Sequence, residues 1–255
     1  MRKSTYDKIA LRYLPRGYDL AKLRRVQILL ASRVKEIDIV DVDKVDLVCG
    51  LDLAYVRRGS IEIGIACAVV YSISRGELVD KSCVYTEVKF PYIPTLLSLR
   101  ELRPMVMAYK RLSIEPEIVL VDGHGRAHPY RLGIASHLGV VLRKPTIGVA
   151  KSLLYGKLVP RPDGDLDILD EETSEIIGRA VRHDSKHVYV SVGNLVTLDS
   201  AVRLVKRLLL TCSQMPVPIL YAHRLCNSEK RRAAKMRGVE RIDKLLRDGD
   251  SEERR

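Results

Sequence analysis

The succession of strand-forming and helix-forming stretches predicts one α/β domain, a mixed sheet in which an antiparallel three-strand meander leads into parallel crossover units flanked by helices. Two observations predict it. Three runs rich in β-formers, 45–56, 61–73 and 77–88, are separated only by Arg57-Arg58-Gly59-Ser60 and Ser74-Arg75-Gly76, and connections of hairpin length make a meander. Beyond residue 94 the apolar period becomes helical, and the short, wholly apolar runs 118–121 and 146–149 alternate with helical stretches. That is the pattern of buried strands joined by crossover helices.

Ahead of the meander, Leu20, Leu23, Val26, Leu30 and Val34 recur at helical spacing and predict a helix packed on the body. After it, Pro94 opens a helical stretch to about residue 112, which Pro104 should kink or divide. Residues 129–138 read as a helix with proline at its first position and Gly139 at its C-terminal cap. Residues 159–165, rich in Pro, Asp and Gly, read as a loop, with strands near 175–182 and 186–192 after it. Asp199 suits the N-cap of a last helix ending near 210. A single domain over 1–223, with a basic arm at 1–19 and a basic extension at 224–255, is expected.

The 255 residues carry 44 Lys+Arg against 32 Asp+Glu, a net +12, and are 46% hydrophobic. This excludes a disordered chain. The longest apolar stretches, 61–71 and 204–210, fall short of the roughly 20 residues that a bilayer span needs. A membrane protein is excluded on that count, and a cytoplasmic one is expected. The charge is concentrated at the ends: residues 1–35 hold ten cations and two acids, residues 224–255 eleven and seven, and the middle is neutral. Basic ends on a neutral body suit a polyanionic partner, or simply a solubilising tail. Pro15 and Gly17 interrupt the amphipathic helix that a transit peptide would need. Five cysteines with no CxxC pair read as a reduced chain without a disulfide framework or a zinc ribbon.

Asp52 falls on the face of the first strand shared with Gly50 and Ala54, opposite Cys49, Leu51 and Leu53. Aspartate is disfavoured in mid-strand, and taken alone it reads as a surface or turn residue. Asp122 ends the run 118–121 and precedes Gly123-His124-Gly125; the carboxyl end of a buried strand is a favoured place for chemistry in such sheets. Glu101 lies on the helix between them and by itself is an ordinary helical glutamate. Together the three could converge into a carboxylate cluster, which is stable only around cations. Hard oxygen donors select Mg²⁺ or Mn²⁺, the ions of phosphodiester hydrolysis. His124 and His128 have a zinc-like spacing, but Gly125 and Pro129 break the helix it would need. Pro91-Tyr92-Ile93-Pro94 is a stiff loop with an apolar tip, either a wedge for a nucleic-acid duplex or a tyrosine tucked onto the edge of the core.

The strings Gly50-Leu-Asp-Leu-Ala-Tyr55, Phe90-Pro-Tyr-Ile-Pro94, Leu99-Arg-Glu101, Val121-Asp-Gly-His-Gly125, Ala127-His-Pro129, Leu132-Gly-Ile-Ala-Ser-His137 and Pro145-Thr-Ile-Gly-Val-Ala-Lys151 resemble the endonuclease V family, in order, over about residues 20–223. The resemblance implies a ribonuclease-H-like fold and repair of deaminated bases. It implies Mg²⁺-dependent nicking at the second phosphodiester bond 3′ to inosine, leaving a 3′-hydroxyl and a 5′-phosphate. Asp52, Glu101 and Asp122 match the family's metal ligands, and Pro91, Tyr92, Ile93 and Pro94 its wedge. Leu97, Gly123, Gly125, His128 and Gly148 match its base pocket. Lys151 matches an active-site lysine, and His223 a late histidine or acid near the metal. The chain departs from the pattern at Asn194, where many members carry histidine, at Arg103, and in its longer basic tail. An inosine-directed endoribonuclease or a broader mismatch nuclease remains the alternative, and a non-catalytic nucleic-acid-binding protein a third. The partner expected is inosine-containing DNA, with RNA open, acted on by a monomer.

Overall fold

In the computed structural model, which describes residues 3–211 and 213–235, nine strands form one mixed sheet. Strands β1 (Leu47–Arg58), β2 (Ile61–Ser72) and β3 (Glu77–Glu87) make the expected meander. Strands β4 (Ile118–Asp122) and β5 (Thr146–Ala150) run parallel to β1 in the centre. Four more strands complete the far half: β6 (Lys157–Pro160), β7 (Leu166–Leu169), β8 (Ile176–His183) and β9 (Lys186–Asn194), in the spatial order β3-β2-β1-β4-β5-β9-β8-β7-β6.

Helices α3 (Ser98–Lys110) and α4 (Ile134–Leu142) bury Met105, Ala108, Ile134 and Leu138 against Cys49, Leu51, Val119 and Val121 on one face. The other face is covered by α5 (Leu198–Leu208) and α6 (Val217–Lys235). Strand alternation therefore works as expected: Leu51 faces α3, and its neighbour Asp52 faces α6. Helices α1 (Lys3–Tyr13) and α2 (Leu20–Ala31) lie beside the loop before α3, with Ala10, Leu20, Phe90, Ile93 and Leu96 in one cluster. Among the described residues, no helix is long and apolar enough to cross a membrane.

Several elements differ from expectation. The first half of the helix expected at 129–138, residues 129–133, is a series of turns, because the backbone there is used elsewhere: Gly133 N–H donates to Gly125 O and Ala135 N–H to His124 O. Helix α4 starts only after Gly133, contains Gly139, and is capped by Arg143 at φ 54°. Helix α3 begins at Ser98 and runs unbroken through Pro104. The loop expected at 159–165 is flanked by the β6–β7 hairpin. Thr197, not Asp199, caps α5, and Asp199 instead holds Arg179. The inward face of α2 carries Leu20 and Leu23 as expected but also the polar Arg24 and Gln27, while Val26 is exposed.

Helix α6 passes through residue 223, where the basic extension was expected to start, and buries Cys226 and Ala233 against β1 and β2. Its close seating depends on Gly50, since a Cβ there would lie 2.2 Å from the Pro218 carbonyl. Residues 236–255 of that extension, and Cys212, lie outside the described residues. The expectation of no disulfide is corrected: Cys67 and Cys83 face each other across β2 and β3 with their Cα atoms 4.2 Å apart, and are bonded. Sixteen residues apart in sequence, they are brought together only by the register of the hairpin.

Candidate active site

Parallel pairing of β1 with β4 sets Leu51 against Val121, so the next residues, Asp52 and Asp122, come side by side at one end of the sheet. Helix α6 adds His223 from the opposite layer. One donor atom from each of Asp52, Asp122 and His223 lies within 4.8 Å of the others. His223 Nδ1 donates to Asp52 Oδ2 at 2.8 Å, and Asn227, one turn on, donates from Nδ2 to His223 Nε2 at 3.0 Å. Lys151 Nζ stands 3.0 Å from Asp122 Oδ2. Glu101 approaches from α3, buried, with Oε1 accepting from Tyr55 Oη at 2.5 Å.

The electrostatics are those of a cluster short of positive charge. Burial raises the Asp52 carboxyl above its usual range and the Asp122 charge raises it further, while the His223 bond pulls the other way. Burial pushes Glu101 up to about 7, against the Tyr55 bond, with Asp52 adding to the rise. Carboxylates that repel one another inside a protein are what a hard divalent cation neutralises. The donor set therefore fits such an ion. It does not fit a closed zinc site, since both free thiols among the described residues, Cys49 and Cys226, are buried and pushed far up.

One peptide bond beyond Asp122 a cleft of roughly 220 Å³ opens, lined by Tyr92, Leu97, Gly123, His124, His128, Leu132, Ile134 and the 152–154 segment. That is small for a drug-sized ligand and suits a single heterocycle. Tyr92 is 63% exposed at the cleft mouth, while Ile93 is fully buried and anchors the loop. The displayed tyrosine, rather than one tucked onto the core, is what the structure has.

His128 lines the cleft, but both ring nitrogens are engaged: Nε2 with Thr95 O at 3.2 Å, Nδ1 with Tyr130 N–H at 3.1 Å. Burial drives its pKa down to about 3, so the ring is neutral. Gly125 and Gly148 do not line the cleft. A Cβ on Gly148 would lie 2.4 Å from Gly125 N, so Gly148 is there to let the 123–125 turn lie on β5. The amides of Gly123 and Gly125 are also taken, by Val149 O and Ser191 Oγ. Asn194 is a structural residue that ties Gly139 O to Lys35 N.

Sequence reasoning missed Tyr55, Asn227 and Thr95. Tyr55 stood in a noted string without a role, and Asn227 lies one turn past His223 on α6, a helix the sequence reading did not place. Thr95, at φ 73°, takes Arg24 Nη2 on its hydroxyl and Gln27 Nε2 on its carbonyl. Helix α2 thereby braces the loop that displays Tyr92.

The chain is similar to known proteins over most of its length. Residues 29–224 match the family described as Endonuclease V. The Endonuclease V of Thermofilum pendens is 41% identical over 82% of this chain and 88% of its own. The crystal structure of the Bacillus subtilis protein superposes with a TM-score of 0.80 at 29% identity, covering 86% of this chain and 95% of the other. That of the Ciona intestinalis protein, in complex with a 24mer DNA containing an inosine followed by a ribo-adenosine, gives 0.73 at 28% identity over 84% and 98%. With its carboxylates, its displayed tyrosine and most of its length inside that match, the chain belongs to the Endonuclease V family.

Proposed function

We propose that this protein is a divalent-cation-dependent endonuclease that nicks DNA at the second phosphodiester bond 3′ to deoxyinosine, leaving a 3′-hydroxyl and a 5′-phosphate, as a step in repairing deaminated bases. The observation that carries the proposal is the join at Asp122–Gly123, where a carboxylate set fit for a cation and a heterocycle-sized cleft are one residue apart. Asp52 and Asp122, with Glu101 beside them, would hold Mg²⁺, for which Mn²⁺ substitutes. When bound, the ion supplies charge neutralisation at the phosphate and lowers the pKa of water.

The chain's own groups do the rest. His223, fixed between Asp52 and Asn227, orients the attacking water. Lys151, beside Asp122, offsets charge on the departing oxygen. Tyr92, on a loop clamped by Pro91, Ile93 and Pro94, fills the gap left when the base turns out. Leu97 and the ring of His128 enclose the base, while Gly123, Gly125 and Gly148 shape the turn beneath it. In this reading the catalytic unit is monomeric and continues through α6 to Lys235.

A second reading, inosine in RNA, has one observation in its favour: the Ciona relative's ligand carries ribo-adenosine directly after the inosine. End-labelled duplex DNA, single-stranded DNA and RNA, each with and without one inosine, test both readings with Mg²⁺ or a chelator. Nicking confined to inosine strands, one bond past the 3′ neighbour and abolished by the chelator, is expected. Equal cutting of inosine-free strands overturns the proposal.

A further inference from the structure

Beyond His223, helix α6 turns one continuous face to solvent. Its buried side is Ala222, Cys226 and Ala233, whereas His223, Arg224, Asn227, Lys230, Arg231 and Ala234 line a common shallow groove along the helix. Arg224, Lys230 and Arg231 are exposed and have no ion-pair partner among the described residues. The one acid in this part of the helix, Glu229, is occupied by Arg232 and by the Tyr85 hydroxyl. In the N-terminal region Arg24 is instead buried in a bridge to Asp7 and stacked on Tyr130, and the exposed cations there lie on α1, α2 and their connections, none of which carries a residue of the carboxylate and histidine set. Unpaired cations on a helix face that begins at His223, a metal-ligand candidate, form an anion track with a fixed starting point.

We propose that this face of α6 is a binding track for the phosphate backbone of the nicked DNA strand, leading away from the scissile bond. The inference rests on the nuclease reading above and adds a strand-binding surface to it. From His223 to Arg231 the helix rises about 12 Å at 1.5 Å per residue. One strand of a duplex carries a phosphate per about 3.4 Å of axis, so that length meets about three phosphates. Three cations stand there to receive them. Because phosphate contacts position a protein without reading bases, the track sets affinity and register but not preference for inosine.

The test is a triple variant, Arg224→Gln, Lys230→Gln and Arg231→Gln, in the full chain, with Arg75→Gln, Lys110→Gln and Arg143→Gln as a charge-matched control. The control residues follow β2, end α3 and cap α4, at the end of the sheet away from Asp122. Binding of a deoxyinosine duplex in Ca²⁺ is measured against salt. The track variant should lose about two to three units of the log–log salt slope, so the wild-type advantage shrinks by roughly 40-fold between about 50 and 200 mM salt. The single variants should each lose about 0.9. The control should keep the wild-type slope, and every variant the wild-type melting temperature and the ratio of inosine to adenine binding. A wild-type slope in the track variant, or an equal loss in the control, overturns the track. A wild-type protein that binds inosine and adenine duplexes alike overturns the nuclease reading instead.

Discussion

Glu101→Gln should make the cation-free protein more stable at pH 8 and less stable at pH 5. Its carboxyl is pushed from 4.5 to about 7 by burial and by the neighbouring Asp52 charge. Between those values the folded state keeps a proton that the unfolded state has lost, so stability falls as pH rises through that window and is flat above it. At 1.36 kcal/mol per pKa unit the ionised carboxylate costs about 3 kcal/mol at pH 8. Glutamine removes that cost and keeps the oxygen that accepts from Tyr55, but leaves a buried NH₂ group worth about 1–2 kcal/mol unpaired. The net at pH 8 is a gain of about 1–2 kcal/mol, or about 2–8 °C in Tm at about 2–4 °C per kcal/mol for a chain of this size.

At pH 5 the folded wild type is already protonated, and only the loss remains. The buried rings of His128 and His124, held down to about 3 and about 4, make stability rise with pH over part of the same window. The measured quantity is therefore the difference between variant and wild type. Calorimetry at pH 5 and pH 8, in chelator and then in Mg²⁺, gives all four values. Mg²⁺ should raise the wild-type Tm and raise that of the variant much less. A variant less stable than wild type at both pH values would refute the account of Glu101 as a like-charge neighbour of the metal site.

Asp52→Asn and Asp122→Asn should each abolish nicking yet leave binding to an inosine duplex within a few-fold, because the cleft is built from other residues; nicking within tenfold of wild type in saturating Mg²⁺ would sink the ligand assignment. Tyr92→Ala should lose more activity on duplex than on single strands, since unstacking costs a few kcal/mol per step, and should leave the Tm unchanged because the side chain is 63% exposed; a lowered Tm with equal loss on both substrates would restore a packing role. Gly148→Ala places a Cβ 2.4 Å from Gly125 N and should cost about 1–3 kcal/mol, read as a lower Tm together with weaker inosine preference. Ending the chain at residue 223 should give insoluble protein, since it removes Cys226 and Ala233 from beneath β1 and β2; a soluble, active product would show that this half of α6 is dispensable.

The meander and the two aspartates were legible because they depend on local signals. Strict alternation puts Asp52 and Leu51 on opposite faces, and a wholly apolar run ending in Asp-Gly marks the carboxyl end of a buried strand. Elements whose local signals are outvoted by distant partners were not legible. Residues 129–133 have helix-start chemistry, but Gly125 O, eight residues upstream, takes the amide of Gly133. Arg24 and Gln27 look like an outer face, and turn inward only because Thr95 and Asp7 wait there. Pro216 and Pro218 suggest an irregular stretch, yet Pro218 is the second residue of α6, where a missing N–H costs the helix nothing. Following that helix past His223 would have shown Asn227, and with it the basic face.

In the proposed function, recognition and cutting are joined by the backbone between the cleft and the carboxylates. Asp122 ends β4 with its carboxylate turned to Asp52 and Lys151, and Gly123 is already in the wall of the cleft. The turn between them is pinned at both ends: Gly123 N–H donates to Val149 O on β5 and Gly125 N–H to Ser191 on β9. A base held in the cleft is therefore at a distance from the carboxylates set by the sheet and not by a mobile loop. The proposed cutting at a constant offset from the lesion needs such a ruler. The Tyr92 loop is fixed to the same frame through Ile93 in the core and Thr95 on α2. The cleft, the Tyr92 loop and the carboxylates are thus tied to one frame of sheet and helix, and in the proposed function the fit of the strand to that frame selects the bond.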